Sequence, residues 1–450
     1  MPHSLPKKVS DHKDKQDFLG KIGTIHLMKV VILGGGFTGL TAALRLLQQG
    51  FEVTVIEKEP EVGGLAGGFK KPGWDWTLEK AYHHWFTSDN CALGLAKELN
   101  HPVITVRPST DVYIQNNFLP LDSPISILQF PYLPMIDKLR MGLVTAYLRY
   151  IANPDSLSRR KALPWLRKYM GQKSTETIWE PLFQGKFGDF KEEIALSWFW
   201  ARIKKRTPSL AYPEGGFQVF ADKIAQRIEK LGRQIVLKAD ILELKHKKNY
   251  YEILTDKGVF SGDIVLSTLP TPVFTKIAPG LPKSYMDKAK SIPHLSALNL
   301  ILTLKKPFLK DTYWLNITDK SFPFLVLAEH TNFMSPKNYS NEHILYVGNY
   351  LPNDHPYLKM SAQQLLKVYD PYLKKINPNY QLLTPNPYLF PAPFAQPVVT
   401  TNYQDLIPKF HSPLPNVYTA NMDMVYPWDR GTNYAIEMGE QVAELINHEN

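Results

Sequence analysis

The stretch Lys29-Val-Val-Ile-Leu-Gly-Gly-Gly-Phe-Thr-Gly39 decides the fold, because a short β-branched run passes directly into a glycine-rich turn. Such a run is suited to a strand buried in a parallel sheet. Apolar residues at helical spacing follow the turn: Leu40, Ala43, Leu44 and Leu47. Gly50 ends this predicted helix, a second strand is expected over Phe51 to Ile56, and Glu57 follows that strand. The sequence after Met28 therefore predicts a βαβ unit.

Three glycines of the turn, Gly34, Gly36 and Gly39, form the pattern G-x-G-x-x-G. Between a strand and a helix, the first permits the tight turn and the second lets the backbone approach a pyrophosphate. The third allows the helix to pack closely on the strand. Phe37 and Thr38 lie in the first helical turn, whose free N–H groups and about half a positive charge attract phosphates. We therefore expect dinucleotide binding, with a glycine turn of an ordinary α/β domain as the alternative.

Glu57 stands at the end of the second strand, 18 residues after Gly39. An acid in this position accepts hydrogen bonds from the ribose hydroxyls of an adenosine. Its carboxylate would repel a 2′-phosphate, which argues against NADP at this site. Glu57 and the adjacent Lys58 are candidate cofactor-binding residues.

A second glycine-rich segment follows at once, in Glu57-Lys-Glu-Pro-Glu-Val-Gly-Gly-Leu-Ala-Gly-Gly68. This segment resembles flavoproteins of the amine oxidase, protoporphyrinogen oxidase and phytoene desaturase type, and it is also similar to UDP-galactopyranose mutases. The resemblance implies non-covalently bound FAD, with Gly63 and Gly64 against its phosphates and ribityl chain. The next residue in those families is usually Arg, whereas this chain has Leu65.

The resemblance continues, in order, along most of the chain. Pro213 to Gln218 resembles the second glycine motif of these families, and the helical run Val219 to Leu231 follows it. Ile235 to Leu244 resembles the strand that frames the adenine, with Ile241 in the usual valine position. Asp263 to Pro270 resembles the strand that returns to the cofactor domain.

Two C-terminal motifs extend the resemblance. Asn416 to Asp423 corresponds to a strand that in these families ends in Ala-Gly-Asp or Ala-Gly-Glu, so that Asp423 is the candidate for the ribityl contact. Asp429 to Tyr434 opens a final helix through Ile446, whose N-terminus the resemblance puts under the flavin pyrimidine edge. The residues implied there are Gly431, Thr432 and Asn433. A plain helix cap explains Thr432 or Asn433 equally.

The run from Trp74 to Phe86 occupies the place where related enzymes bring a short turn against the flavin ring. Tyr82 is therefore a candidate cofactor contact, and His84 or His83 a candidate catalytic group, with His84 preferred. A histidine with its ordinary pKa of about 6.5 can give or take a proton near neutrality. Neighbours in an extended chain point to opposite faces, so at most one of the two should face the cofactor. Packed core residues are the alternative.

The predicted fold class is α/β, with a Rossmann-like FAD-binding domain of the glutathione reductase type. An α+β substrate domain with a helical subdomain interrupts it. The expected ranges are 1–27 as a disordered extension, 28–105, 211–285 and 406–450 as the FAD-binding domain, 106–210 as the helical substrate subdomain, and 286–405 as the substrate sheet.

The chain is basic, with a formal net charge of +10. Lys and Arg are spread along its whole length without a zinc-finger, RRM or basic-zipper pattern, so a nucleic-acid partner is not expected. An anionic small-molecule substrate or an anionic membrane surface would fit the charge. Arg202 and Arg206, next to the aromatic residues Trp198 to Trp200, are candidates for binding an anionic substrate. Aromatic core packing is the alternative for that segment.

Leu119 to Ile151 is apolar, with Lys138, Arg140 and Arg149 interspersed. It could form a basic amphipathic membrane face or the core of a helical subdomain. No uninterrupted apolar run approaches the ~20 residues that cross a bilayer. The single cysteine, Cys91, cannot form an internal disulfide or a cysteine-based metal site. A reducing, cytoplasmic compartment is expected, with peripheral membrane contact left open.

The sequence therefore predicts an FAD-dependent oxidoreductase that removes hydride from a substrate carbon, with a separate electron acceptor. It does not separate amine oxidation, protoporphyrinogen-like oxidation and polyene desaturation. The alternatives are a flavin-dependent isomerase similar to UDP-galactopyranose mutase and a flavin-binding protein without chemistry. No metal-ligand cluster is recognisable, so no metal is expected.

Overall fold

A computed structural model describes residues 27–450, which form a mixed fold of helices and sheets. The predicted extension over residues 1–27 lies, apart from its last residue, outside the described residues. Because the chain enters each layer several times, residues far apart in sequence meet at the layer boundaries.

The first layer is a five-stranded parallel sheet. In spatial order its strands are Gln234–Val236, Glu52–Ile56, Lys29–Leu33, Ile264–Ser267 and Val417–Thr419. Side chains of the central strand alternate between two cores: Val30 and Ile32 face one, and Val31 and Leu33 face the other. Both faces are covered, which explains why the strand is a continuous apolar run.

Helices cover one face of the parallel sheet and a small antiparallel sheet covers the other. The helices are Phe37–Gln48, Phe217–Lys230 and Thr432–Glu449. The small sheet consists of the strands Ile241–His246, Tyr251–Thr255 and Gly258–Gly262. The carboxyl ends of the parallel strands thus open on the N-termini of two of these helices, at Phe37 and Thr432.

A seven-stranded mixed sheet forms the second layer, called here the large sheet. In spatial order its strands are Tyr388–Pro397, His294–Leu304, His343–Leu351, Val326–Glu329, Thr312–Ile317, Ser109–Ile114 and Asn117–Pro120. Leu300 and Leu302 face the helix Ala362–Ile376, whereas Ile301 and Tyr346 face the core shared with the parallel sheet. Because side chains alternate along these strands, one face of the large sheet is directed toward the parallel sheet.

Helices dominate residues 124–205. They are Pro124–Gln129, Met135–Tyr150, Pro154–Leu157, Ala162–Tyr169, Gln172–Ser174, Glu180–Phe187 and Leu196–Lys205, with a π-helical turn at Thr175–Trp179 and a 3₁₀ turn at Gly188–Glu193. Their shared core is rich in large side chains such as Phe130, Phe183 and Trp200.

The remaining elements connect the layers. The short strands Trp85–Phe86 and Val103–Val106 pair with Leu210–Pro213, and Gly68–Phe69 pairs with Leu78–Glu79. The remaining α-helices of the described chain are Asn90–Glu98, Thr271–Ile277, Lys283–Lys290 and Tyr403–Leu406.

The prediction of one strand from Ile235 to Leu244 is wrong. The chain leaves the parallel sheet after Val236 and enters the antiparallel sheet at Ile241. Between the two strands Lys238 has φ +55, and its N–H donates to the carbonyl oxygen of Glu59 at 3.1 Å. A left-handed residue interrupts the strand, and the composition of an apolar run does not reveal such a break.

Gly39 provides a test of the close packing in the first unit. A methyl group added there would lie 2.1 Å from the carbonyl oxygen of Gly34, a backbone atom. We expect Gly39→Ala to lower the free energy of unfolding, measured in urea, by roughly 1–3 kcal/mol. Gly94→Ala is the matched control, because that exposed helical glycine has no neighbouring atom within 4 Å. The control should raise stability by about 0.5–1 kcal/mol. Equal effects of both substitutions would contradict this packing.

Candidate active site

The first glycine segment, Gly34–Gly39, is held by the acid predicted to face a ribose. Glu57 is buried, and its Oε2 accepts a hydrogen bond from the Gly35 N–H at 2.7 Å. Its Oε1 accepts from the Glu59 N–H at 2.9 Å. Each carboxylate oxygen has a further lone pair, so a ribose hydroxyl would be an additional partner. Glu57 therefore fixes the turn whatever else it binds.

The helix after this turn begins without a side-chain cap. Gly36 is the N-cap, and the first turn contains no acidic residue. Phe37 and Thr38 are buried, and their N–H groups belong to those that have no acceptor inside a helix. This end of the helix can therefore accept an anion, as the sequence predicted.

The second glycine segment, Gly63–Gly68, touches the first through backbone atoms. The N–H of Gly63 donates to the carbonyl oxygen of Gly35 at 2.9 Å. A methyl group on Gly64 would lie 3.1 Å from the Cα of Gly36, and Gly64 has φ +57. Side chains at these positions would fill the space along which an extended diphosphate could lie. The glycine pair therefore fits FAD, and Leu65, in the place of the usual Arg, is 38% exposed.

Gln218, the last residue of the motif Pro213 to Gln218, has a structural role that the sequence did not predict. Its Oε1 accepts from the Gly68 N–H at 2.9 Å, and its Nε2 donates to the carbonyl oxygen of Val62 at 3.0 Å. The amide therefore joins the helix Phe217–Lys230 to both ends of the second glycine segment. Its position directly after two glycines and an aromatic residue was the available signal.

Two adenine-side candidates lie at the edge of the parallel sheet. The N–H of Ala239 donates to the carbonyl oxygen of Glu57 at 3.0 Å, which brings the following Ile241 toward that acid. Ile241 is partly buried at the start of its strand. Lys58 is exposed, and its only carboxylate neighbour within the described chain is Glu59 at 3.9 Å.

Asp423 is buried in a pair with a histidine. Its Oδ1 lies 2.7 Å from Nε2 of His294, while Oδ2 has no hydrogen-bond partner among the described residues. The residue that aligns with the usual glycine is Asn421, whose side chain donates to the carbonyl oxygen of Leu269 at 3.0 Å. The ribityl contact of Asp423 therefore stays a prediction, and the observed partner is a histidine of the large sheet.

The N-terminus of the final helix is tied to the histidine segment. Gly431 is its N-cap and provides no side chain. Thr432 Oγ1 accepts from Trp85 Nε1 at 2.6 Å, and Asn433 Oδ1 accepts from the Ala92 N–H at 3.1 Å. Neither side chain caps its own helix, so the plain capping interpretation is wrong.

Tyr82, His83 and His84 lie between the layers and are partly buried. The rings of Tyr82 and His84 both pack against Trp314 of the large sheet, with centroid distances of 4.8 Å and 6.1 Å. His83 packs instead against Phe217, at 5.5 Å. The two histidines thus point to opposite sides, as expected for an extended chain.

Both imidazoles are neutral at ordinary pH. Burial, with a smaller contribution from Arg430, lowers the pKa of His83 to about 4, although its Nδ1 donates a hydrogen bond to the Ala81 carbonyl oxygen at 2.7 Å, which acts in the opposite direction. Burial lowers the pKa of His84 to about 3, with Arg206, His83 and Arg202 adding to the effect. The His84 Nδ1 lies 3.2 Å from the Tyr313 hydroxyl oxygen.

Four basic residues form what we call the cation cluster: Lys186, Arg202, Arg206 and Arg430. One carboxylate, Asp429, lies among them, 2.5 Å from Arg202 Nη1 and 3.3 Å from Lys186 Nζ. Burial alone would raise the pKa of Asp429, but Lys186, Arg202 and Arg430 hold it below its usual range. The carboxylate is therefore ionised, and the cluster keeps an excess of positive charge.

Among the described residues, neither Arg206 nor Arg430 of the cluster has a carboxylate within 4 Å. The Arg206 side chain is exposed to solvent. Desolvation by the protein around it and the charge of Arg202 lower its pKa to about 10. Arg430 is engaged differently, because its Nε donates to Gln396 Oε1 at 3.0 Å and its Nη2 donates to the Tyr350 hydroxyl. Burial raises the pKa of Tyr350, but Arg430 and Lys186 outweigh this and lower it.

The structure thus brings the predicted Arg202 and Arg206 into the electrostatic surroundings of His84. Sequence reasoning missed Lys186, Tyr350 and Arg430. Arg430 directly precedes the predicted Gly431, and this position in the motif could have identified it. Lys186 and Tyr350 come from a helix and a strand with no motif.

Substitution of Glu57 tests the glycine segments directly. Glu57→Gln keeps the volume but replaces one carboxylate oxygen with a donor that repels a backbone N–H. A hydrogen bond to a charged group contributes roughly 1.5–3 kcal/mol, so the FAD dissociation constant should rise about ten- to a hundredfold. Titration of the apoprotein with FAD measures this, and Glu59→Gln, at a half-exposed position, is the control. An unchanged constant for Glu57→Gln would show that the acid does not organise the site.

Comparison with known proteins extends these observations to nearly the whole chain. The model of the family described as flavin containing amine oxidoreductase matches residues 37–447. A 4,4'-diapophytoene desaturase of Staphylococcus aureus is 45% identical, but over 51 residues only, 11% of this chain. The chain thus matches about a tenth (10%) of the length of that relative.

Solved structures share the fold at low identity. A proposed protoporphyrinogen oxidase from Exiguobacterium sp. 255-15 has a TM-score of 0.75 at 16% identity, covering 95% of this chain and 100% of the other. Reduced UDP-galactopyranose mutase has a TM-score of 0.74 at 16% identity, with 94% and 96% covered. In the described chain, no helix combines the length and the apolar character that crossing a bilayer requires. The chain belongs to the flavin containing amine oxidoreductase family.

Proposed function

We propose that this enzyme oxidises an anionic substrate, removing hydride from a substrate carbon beside His84. The observation that carries the proposal is the cation cluster, in which Lys186 and Arg202 share a single carboxylate, Asp429, and Arg206 has no carboxylate within 4 Å among residues 27–450. Lys186 and Arg430 are partly buried, and an excess of positive charge there is costly unless an anion completes it. A carboxylate or phosphate group on the substrate would supply that anion.

The cofactor is proposed to lie along the two glycine segments, in a Rossmann-like domain assembled from residues 28–105, 211–285 and 406–450. Gly36, Gly63 and Gly64 leave a surface of backbone atoms for the diphosphate. None of these contacts uses a cysteine, so the FAD is held non-covalently. FAD bound there supplies a hydride acceptor, and a separate electron acceptor removes the electrons again.

Arg206 is the proposed anchor for the substrate anion. Its guanidinium has no carboxylate within 4 Å in residues 27–450, whereas Arg202 is already paired with Asp429. A planar guanidinium can hold a carboxylate or phosphate through two parallel hydrogen bonds. Held there, the substrate would be oriented toward His84, since Arg206 is close enough to lower the pKa of that imidazole.

His84 is the proposed acceptor of the substrate proton. If Nδ1 donates to the Tyr313 hydroxyl oxygen, the lone pair of Nε2 is free to take a proton. A bound anion would offset the charges of Arg206 and Arg202, which lower the pKa of His84 in the free enzyme. Substrate binding should therefore raise that pKa toward its ordinary value and make the imidazole a better base.

The substrate class can be tested with pairs of charged and neutral compounds. We expect reduced compounds that bear a carboxylate or phosphate to bleach the flavin absorbance under anaerobic conditions. Their neutral methyl esters or parent alcohols should not, because they leave the cation cluster unpaired. Equal rates for charged and neutral partners would contradict the proposal. Conversion of substrate only by pre-reduced enzyme, without consumption of an acceptor, would instead indicate an isomerase.

Arg206→Met tests the anchor with inorganic pyrophosphate as the probe. Loss of a hydrogen-bonded charge should raise the pyrophosphate dissociation constant of the holoenzyme about ten- to a hundredfold, followed by flavin fluorescence. Arg227→Met, at an exposed arginine of the helix Phe217–Lys230, should leave it unchanged. Unaltered pyrophosphate binding in Arg206→Met would remove Arg206 from the site.

His84→Ala should slow flavin reduction by about 10²–10⁴-fold if Nε2 takes the substrate proton. Because only the neutral imidazole is a base, activity falls when pH drops through its pKa. With a free-enzyme pKa of about 3, kcat/KM should stay constant as pH is lowered to about 5. The decline of kcat on acidification should begin at a less acidic pH, because bound substrate raises the pKa of His84. His83→Ala is the neighbouring control and should have a much smaller effect. Wild-type rates in His84→Ala would show that the histidine is structural.

A further inference from the structure

The helix Met135–Tyr150 has an apolar face on the outside of the molecule. From Met135 to Ile151 every residue that is exposed is uncharged: Met135, Ile136, Leu139, Gly142, Leu143, Ala146, Tyr147, Tyr150 and Ile151. The exposed fraction reaches 72% at Leu143 and 75% at Ile151. We call this set the apolar face. Its members recur at intervals of three and four residues, so they form one stripe along the helix.

The side of this helix that packs on the protein contains an acidic residue, which a surface helix normally exposes to solvent. Asp137 is buried there, and its Oδ2 accepts from the Ser174 N–H at 3.1 Å. Met141 and Leu148 complete the buried side. The protein interior thus takes the acid, while solvent meets the leucines and isoleucines. An exposed patch of this kind marks an interaction site.

Neighbouring elements enlarge the apolar face. Ile125 and Leu128, on the helix Pro124–Gln129, are 66% and 47% exposed. Tyr147 stacks with Trp165, which in turn packs against Tyr169 at a centroid distance of 4.7 Å. Aromatic residues beside an aliphatic stripe are typical of surfaces at a membrane–water boundary.

Cations border the apolar face, and within the described part of the chain none of them has a carboxylate partner. They are Lys138, Arg140, Arg149 and Lys168, whose side chains contact backbone carbonyl oxygens or a neighbouring aromatic ring. Among residues 27–450, no carboxylate lies within 4 Å of any of the four. The surrounding stretch 118–173 holds nine basic and three acidic residues, a net charge of +6 out of +10 for the chain.

We propose that the apolar face docks on the surface of an anionic lipid bilayer, with the helix lying in the plane of the interface. The aliphatic stripe would enter the acyl boundary, and the bordering cations would meet lipid phosphates. A protein partner with an apolar groove would have no need of four unpaired cations around it. This docking does not depend on the function proposed above.

The docked face would lie next to the cation cluster. Arg149, at the end of the helix, donates to the carbonyl oxygen of Arg206 at 3.1 Å. Lys204 Nζ in turn donates to the carbonyl oxygen of Arg149 at 2.8 Å. These bonds connect the apolar face to the helix that carries Arg202. The bilayer surface would therefore be adjacent to Arg206, the proposed anchor of the substrate.

The test uses the holoenzyme and vesicles of phosphatidylcholine, with or without phosphatidylglycerol, in a co-sedimentation assay. We expect binding to the anionic vesicles, weakened by salt because the cations contribute. Leu143→Glu and the uncharged Leu143→Gln should both weaken binding, by about tenfold or more for the Glu variant. Lys168→Gln should weaken binding to the anionic vesicles alone. Leu242→Glu, at a distant position 57% exposed, should bind like the wild type.

Retention of the flavin spectrum and of the melting temperature shows that each variant is folded. Absence of wild-type binding to either vesicle would overturn the proposal, as would equal binding by the wild type and Leu143→Glu. A wild-type dimer that Leu143→Glu converts to a monomer, without any vesicle binding, would overturn it too and would identify the face as a contact between two copies.

Discussion

The arrangement of the whole site depends on the contact between two glycine segments. The Gly63 N–H donates to the Gly35 carbonyl oxygen, and the Cα atoms of Gly36 and Gly64 face each other closely enough that a methyl group on Gly64 would be 3.1 Å from Gly36. Side chains are excluded from this contact, so that it consists of backbone atoms alone. Glu57 accepts a hydrogen bond from the first segment at the Gly35 N–H, and Gln218 accepts one from the second at the Gly68 N–H. Strands from three separate parts of the chain must pair in register to bring these four groups together.

The electrostatic surroundings of the two glycine segments differ from those of His84. At the glycine segments, uncapped backbone N–H groups supply partial positive charge without any basic side chain. Around His84, whole charges dominate. They keep Asp429 ionised, whereas burial, with a smaller contribution from the arginines, lowers the pKa of His84 and keeps it neutral. The absence of the usual Arg at Leu65 is consistent with this difference.

The sequence predicted the local units well because each has a short-range signature. The strand at Lys29–Leu33, the glycine turn and Glu57 follow one another within a single βαβ unit, so spacing alone locates them. The helix Phe217–Lys230 begins two residues before the predicted start at Val219, a small error at the end of an element. The strand predicted over Ile235 to Leu244 failed because a single left-handed residue, Lys238, divides it, and apolar composition is the same on either side of such a break.

The substrate side could be predicted only in part. Arg202 and Arg206 were recognisable because cations stand beside aromatic residues on one helix. Lys186 comes from a helix and Tyr350 from the large sheet, and both Lys186 and Arg430 lie over the ring of Tyr350. The apolar stripe of Met135–Tyr150 was visible as periodicity, but periodicity does not tell which face of an amphipathic helix packs inward. Burial of Asp137 decides that question, and its partner, the Ser174 N–H, lies 37 residues away.

The central claim is that one cofactor joins the backbone-lined region to the charged region around His84. A crystal structure of the holoenzyme with a bound carboxylate or phosphate compound tests it most directly. The account predicts the FAD diphosphate against Gly36 and Gly64, and the anion within hydrogen-bond distance of Arg206. The flavin ring should lie between that anion and the N-terminus of the final helix. A flavin ring remote from His84, or an anion bound away from Arg202 and Arg206, would contradict it.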